Sequence, residues 1–134
     1  MITHGLPNDP FWTIIQRGAH DAAKDFNVKL SYEQLTGSSV DPGQEARLLS
    51  AALVQNPQGI AVTIPDPHAL GGPIKQALAK NIPLIAFNSG DNDYTKLGVQ
   101  TYVGFDQTKT GQVAAQQMLA RNAKDDICIN HQQG

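Results

Sequence analysis

The chain predicts an α/β fold: a three-layer α/β/α arrangement around a mostly parallel sheet. Three observations carry this. Short β-rich runs alternate with stretches of helical periodicity. Two of those runs, GIAVTI (59–64) and IPLIAF (82–87), are solidly apolar, as are strands buried on both faces of a parallel sheet. The links between runs are short, which favours right-handed crossovers with helices on both faces.

The elements follow in order. The first apolar run is only the stub Ile2-Thr3. A helix fits Pro10 to about Phe26, with an apolar stripe at Ile15, Ala19, Ala22 and Phe26. VKLSYEQ (28–34) alternates like a strand with one face exposed. After the turn-rich TGSSVDPG, a second helix spans Pro42 to about Gln55, with Ala46, Leu49 and Ala52 or Leu53 inward. GIAVTI is the next strand, and PDPHALGG leads to a helix from about Pro73 to Lys80. IPLIAF, the loop NSGDNDYTKLG and a short strand TYVGF (101–105) come next. A helix over about Gln107 to Arg121, with Val113, Met118 and Leu119 inward, precedes a last strand DICIN (126–130). One domain over 1–134 is expected, without internal repeat.

Asp9-Pro10, Asp41-Pro42 and Asp66-Pro67 open helices or the turns leading into them. The Asp side chain accepts the free N–H groups of a first turn, and Pro at the first helical position presets φ without losing a needed donor. The carboxylate also meets the positive end of the helix dipole.

Composition excludes several classes. The formal net charge is −2, and the scattered Lys and Arg form no basic stripe, so no nucleic-acid partner is expected. No apolar run approaches the roughly 18–20 residues of a membrane span, so no direct membrane insertion is expected. No signal-peptide pattern opens the chain, as in a cytoplasmic protein or one that has lost its N-terminus. Cys128 is the only cysteine, so no internal disulfide forms; it reads as a small buried strand residue.

In an open parallel sheet, ligands bind outside the carboxyl ends of the strands. Those ends carry His4, Asn8, Asp9, Phe11 and Trp12; then Pro65 and Asp66; then Asn88 and Ser89; then Asp106; then His131. Acceptors and amides gather beside two aromatics, with no Lys or Arg among them. Carboxylate and amide oxygens accept hydroxyl donors, an amide N–H returns one, and an aromatic face covers the C–H side of a ring. The set suits a neutral polyhydroxylated ligand rather than a phosphate or carboxylate. Phe11 and Trp12 lie about 100° apart on a helix, so both cannot extend one core stripe. Both are expected to border the cleft, one also sealing the core beneath it.

Enzyme signatures are absent. There is no G-x-x-x-x-G-K-[ST], G-x-G-x-x-G or G-x-S-x-G, so no catalytic residue and no cofactor is expected. His4, His20, His68 and His131 lack paired metal spacing, and DNDY (91–94) lacks the rest of a calcium loop. No metal site is expected.

DPFW followed by IIQRGAHDAAKDFNV, then GIAVTIPDPHAL, KNIPLIAFNSG, YVGFDQTKTGQVAAQQML and ICINHQQG together resemble the N-terminal lobe of type I periplasmic sugar-binding proteins, the ribose-binding-protein-like receptors of ABC importers. The resemblance covers essentially the whole chain, in the family's order. It implies a periplasmic-binding-protein-like type I lobe, with flavodoxin-like strand order, that binds a neutral sugar or polyol without chemistry. It also implies a second lobe and an ABC permease as partners, in the periplasm or cell envelope. It implies that Asp9 bonds sugar hydroxyls, that Phe11 and Trp12 stack on the ring, and that Asn88 faces the cleft at a strand end. Asp106 matches a position near the hinge edge. Two positions depart from the ribose pattern: Ile64 stands where an Asn precedes the Pro, and Ser89 stands where an Arg follows. Asp66 is the expected substitute for the lost polar group, and the wording TIPDP and AFNSG is closer to receptors for other sugars or polyols, inositol-like ones included. His4 is a further candidate ligand contact. The chain is roughly half the family's length and reads as truncated at both ends. The runner-up readings are the effector-sensing core of a lac-repressor-type regulator and a flavodoxin-like enzyme or signalling domain.

Overall fold

In the computed structural model, residues 1–125 and residue 127 are described. Their elements are β1 (Ile2–Thr3), α1 (Pro10–Asp25), β2 (Glu33–Gln34), α2 (Pro42–Val54), β3 (Ile60–Val62), α3 (Pro67–Ala79), β4 (Leu84–Phe87), β5 (Thr101–Val103) and α4 (Gln107–Ala120). Apart from Ile127, the strand expected over 126–130, with Cys128, and the candidate His131 lie outside the described residues.

All strand pairs are parallel, in the order β2-β1-β3-β4-β5. The stub β1 is central: Ile2 pairs with Glu33 on one side and Val62 on the other. The chain leaves β1 toward β2 and later returns past β1 to β3. That reversal makes the β1/β3 boundary the switch point, where an open α/β sheet forms its ligand crevice.

Helices α2 and α3 cover one face. Leu49, Leu53, Leu70, Ile74 and Ala77 from them meet Ile2, Ile60, Val62, Leu84 and Ala86 from the strands. Phe87 alternates to the other face, where Trp12 from the first turn of α1 meets it at 6.5 Å between ring centroids. Beyond that turn the second face stays open. Ile85 and Val103 are exposed, and so are Phe26, Val113, Met118 and Leu119, which periodicity had pointed inward. A stripe is a property of a helix alone, whereas burial needs a partner surface, and the described residues supply none there.

Local chemistry explains the boundaries. Asp9 caps α1 by accepting from Phe11 N (2.9 Å), and Asp106 caps α4 by accepting from Lys109 N (2.8 Å). Asp41 makes no cap bond and pairs instead with Arg47 at 3.3 Å. Asp66 accepts from His68 N (2.8 Å) and Ala69 N (3.3 Å), so α3 starts at Pro67, six residues before the expected Pro73, which sits inside the helix. Each helix is followed by an asparagine in the left-handed region: Asn27, Asn56, Asn81 and Asn122. Asparagine tolerates that conformation better than other residues with a side chain, and so ends a helix where glycine otherwise would. The strand expected over 28–34 is only Glu33–Gln34, because its partner β1 has just two residues to pair with. Among the described residues no helix is long and apolar enough to cross a membrane.

Candidate functional site

An open cleft of about 1020 Å³ lies over the carboxyl ends of β1, β2, β4 and β5, lined by His4, Leu6, Asp9, Phe11, Trp12, Ser38, Ser39, Val40, Asn88, Phe105 and Gln107. Five of the seven candidate residues from the sequence meet here: His4, Asp9, Phe11, Trp12 and Asn88. Asp66 and Asp106 do not line it. Both carboxylates are engaged as helix caps, and Asp106 borders a smaller groove with Phe105, Lys109, Thr110 and Val113.

The two aromatics divide the roles. Trp12 is buried, with 6% exposure, while Phe11 is half exposed at 49%. Their rings meet edge-on at 5.1 Å, and Trp12 also meets His4 edge-on at 4.9 Å. Trp12 therefore closes the core under the cleft, and Phe11 presents a free face at its rim. The floor is tight: a Cβ on Gly5 would stand 2.5 Å from Trp12 Cγ, so only glycine lets the indole lie on the backbone there.

His4 is buried, and burial lowers its pKa to about 4, against a smaller opposing effect of the Asp9 charge. The imidazole is neutral at pH 7, and its Nδ1 has no partner among the described residues. One Asp9 oxygen holds Phe11 N; no donor from the described residues reaches the other. Asn88 has φ 63°, and its backbone is fixed at both ends: its N–H donates to Val103 O (3.0 Å) and its carbonyl accepts from Tyr102 Oη (2.8 Å). Among the described residues its side-chain amide has no hydrogen-bond partner, and neither do the hydroxyls of Ser38 and Ser39. Among the described residues no Lys or Arg lines the cleft. Among the described residues, no group of three or more His, Cys, Asp or Glu is placed to hold a metal.

The two departures from the ribose pattern pack together. Ile64 N donates to both Ser89 Oγ (3.0 Å) and Ser89 O (3.2 Å). Next to them Gly90 has φ 97°, and a Cβ there would stand 2.6 Å from Ile64 Cβ. Ser89 is thus a strand-end clasp, not a lining residue.

Sequence reasoning missed Ser38, Ser39, Val40, Leu6, Phe105 and Gln107. The first three follow β2 and obey the same carboxyl-end rule as the rest. Phe105 was assigned to a strand that stops at Val103. Also missed was Glu45, fully buried. Its signal was legible: 45, 49 and 53 fall on one helical face, so a carboxylate occupies the apolar stripe of α2.

Comparison with known proteins adds the following. A family model described as a periplasmic binding protein domain matches residues 1–131. The crystal structure of a carbohydrate transporter from Acidothermus cellulolyticus 11B in complex with myo-inositol is similar at 44% identity and TM-score 0.83, over 90% of this chain and 41% of that one. A periplasmic sugar-binding protein of an ABC sugar transporter from Legionella pneumophila is similar at 32% identity and TM-score 0.82, over 90% and 44%. A curated xylose/arabinose-binding protein of Sulfolobus acidocaldarius is 29% identical over 108 residues, 78% of this chain and 26% of that protein. The chain thus spans less than half the length of these relatives.

Proposed function

Since the chain belongs to the periplasmic binding protein domain family, we propose that it is the N-terminal lobe of a receptor that binds a neutral sugar or cyclic polyol for an ABC importer. One observation carries this reading. The cleft combines a free aromatic face at Phe11 with uncommitted groups on Asp9, Asn88, Ser38 and Ser39, and no cation lines it. Hydroxyls of a ring polyol would bond the Asp9 oxygen and the Asn88 amide while its C–H face lies on Phe11. The relative that holds myo-inositol supports the cyclic-polyol end of this class. The protein acts by binding without turnover, and its partners are a second lobe closing over the cleft and a membrane permease. Its place of action is the periplasm or cell envelope.

One lobe supplies one wall, so affinity is in the millimolar range and the assay must reach it. Titrating the isotope-labelled 134-residue chain with myo-inositol, arabinose and xylose by NMR is the direct test. The side-chain amide of Asn88 and the ring of Phe11 should shift saturably with at least one of them, and not with a sugar phosphate. Shifts with none, or only with the anion, sink the proposal.

A further inference from the structure

Glu45 has no role in the cleft lining, yet it is one of the most buried side chains of the lobe. Its carboxyl comes from the first turns of α2 and meets Thr63 at the end of β3. The Thr63 hydroxyl donates to Glu45 Oε1 and accepts from His4 N at 2.9 Å. One hydroxyl therefore joins α2, the exit of β3 and the exit of β1. The next residues are tied as well: Gly5 N donates to Thr3 Oγ1 (3.2 Å) and Gly5 O accepts from Leu35 N (3.1 Å). His4 in turn packs edge-on against Trp12. Glu45 Oε2 is buried without a partner among the described residues, the place where a neutral acid carries its proton.

A lone carboxyl on an apolar stripe is costly to bury, and a leucine would fill the space without that cost. What a leucine would not do is hold Thr63. We propose that Glu45 is a positioning residue of the cleft: through the Thr63 hydroxyl it fixes the His4 backbone and the His4–Trp12 ring stack that forms the cleft floor. It acts on ligand only through that floor. The binding arm of the proposal rests on the function proposed above; the positioning arm does not.

The test uses two reporters present in the chain. Hydrogen exchange of the His4 amide reads the Thr63 bond, and the fluorescence of Trp12, the only tryptophan, reads the floor. Thr63→Val and Glu45→Leu should each speed His4 exchange about tenfold or more, as loss of one buried hydrogen bond does. Both should move the Trp12 emission and weaken the myo-inositol response measured by NMR. Thr63→Ser and Glu45→Gln, which keep the hydroxyl and a neutral acceptor, should restore the native values. Native exchange and emission in Thr63→Val overturn the proposal, whatever Glu45→Leu does to folding. So does acceleration spread evenly over the α3 amides, which marks a general loosening. If the native chain answers no polyol, the binding function fails, while exchange and emission still decide the positioning role.

Discussion

Between pH 6.5 and 8 the lobe should lose stability as pH rises, and Glu45 should be the cause. Burial raises its pKa from 4.5 to about 8, against a smaller opposing effect of the Thr63 bond. Over that interval the folded state keeps a proton that the unfolded state has released, so raising pH favours unfolding by about 1.4 kcal/mol per unit. His4 works in the opposite sense. Its pKa falls from 6.5 to about 4, so its contribution is complete above pH 6.5 and is lost as pH falls toward 4. The two slopes oppose each other between 4.5 and 6.5, which leaves Glu45 the main slope from 6.5 to 8. The loss there is about 2 kcal/mol. The Met1 amine, its pKa lowered by burial, opposes this near pH 8, while Tyr32, raised by burial, titrates above the window. Comparing the native chain with Glu45→Gln cancels both. Urea midpoints at half-unit steps from pH 6 to 8.5 should fall for the native chain and fall less for Glu45→Gln. Parallel profiles for the two proteins would refute the assignment of a neutral, buried acid to this position.

Other expectations follow from the same geometry. Trp12→Ala should cost about 3–5 kcal/mol in chemical denaturation, the usual range for a buried large aromatic, whereas Phe11→Ala should cost well under half of that and abolish the polyol response. Gly5→Ala should destabilise by about 1–3 kcal/mol, because the new methyl overlaps the indole. Asp66→Ala should cost about 1 kcal/mol through the lost cap and leave the NMR titration at Asn88 unchanged. Asn88→Gly keeps the left-handed backbone and removes the amide, so it should weaken the polyol response with little change in melting temperature.

Much of this fold was legible in the sequence for local reasons. Solid apolar runs marked β3 and β4, Asp-Pro marked the starts of α1 and α2, and alternation of elements implied the parallel order. Local rules failed where a decision depended on a distant partner. Asp66 and Asp106 sit at strand ends like Asp9 and, like it, cap helices, yet only the three-dimensional course of the chain shows that they do not line the cleft. Asp9 differs in place: it caps α1 and also lines the cleft. The stripes of α1 and α4 were read correctly as apolar, but their burial depends on surfaces that the described residues do not provide. Phe11 and Trp12 were separable only in part: helical geometry said that they diverge, and the contact with Phe87 and Gly5 decided which ring turned inward.

The clasp of Ile64, Ser89 and Gly90 bears on how this sequence can change. An arginine in place of Ser89 removes the side-chain acceptor for Ile64 N. An asparagine in place of Ile64 loses the apolar surface that lies against Gly90. A residue with a Cβ at 90 collides with Ile64 and must also adopt a left-handed backbone. Each single replacement thus removes a contact of the clasp or forces one of its atoms to move. Because the three residues share these contacts, the stability effects of replacing them should not be additive, and paired replacements should cost less or more than the sum of the single ones.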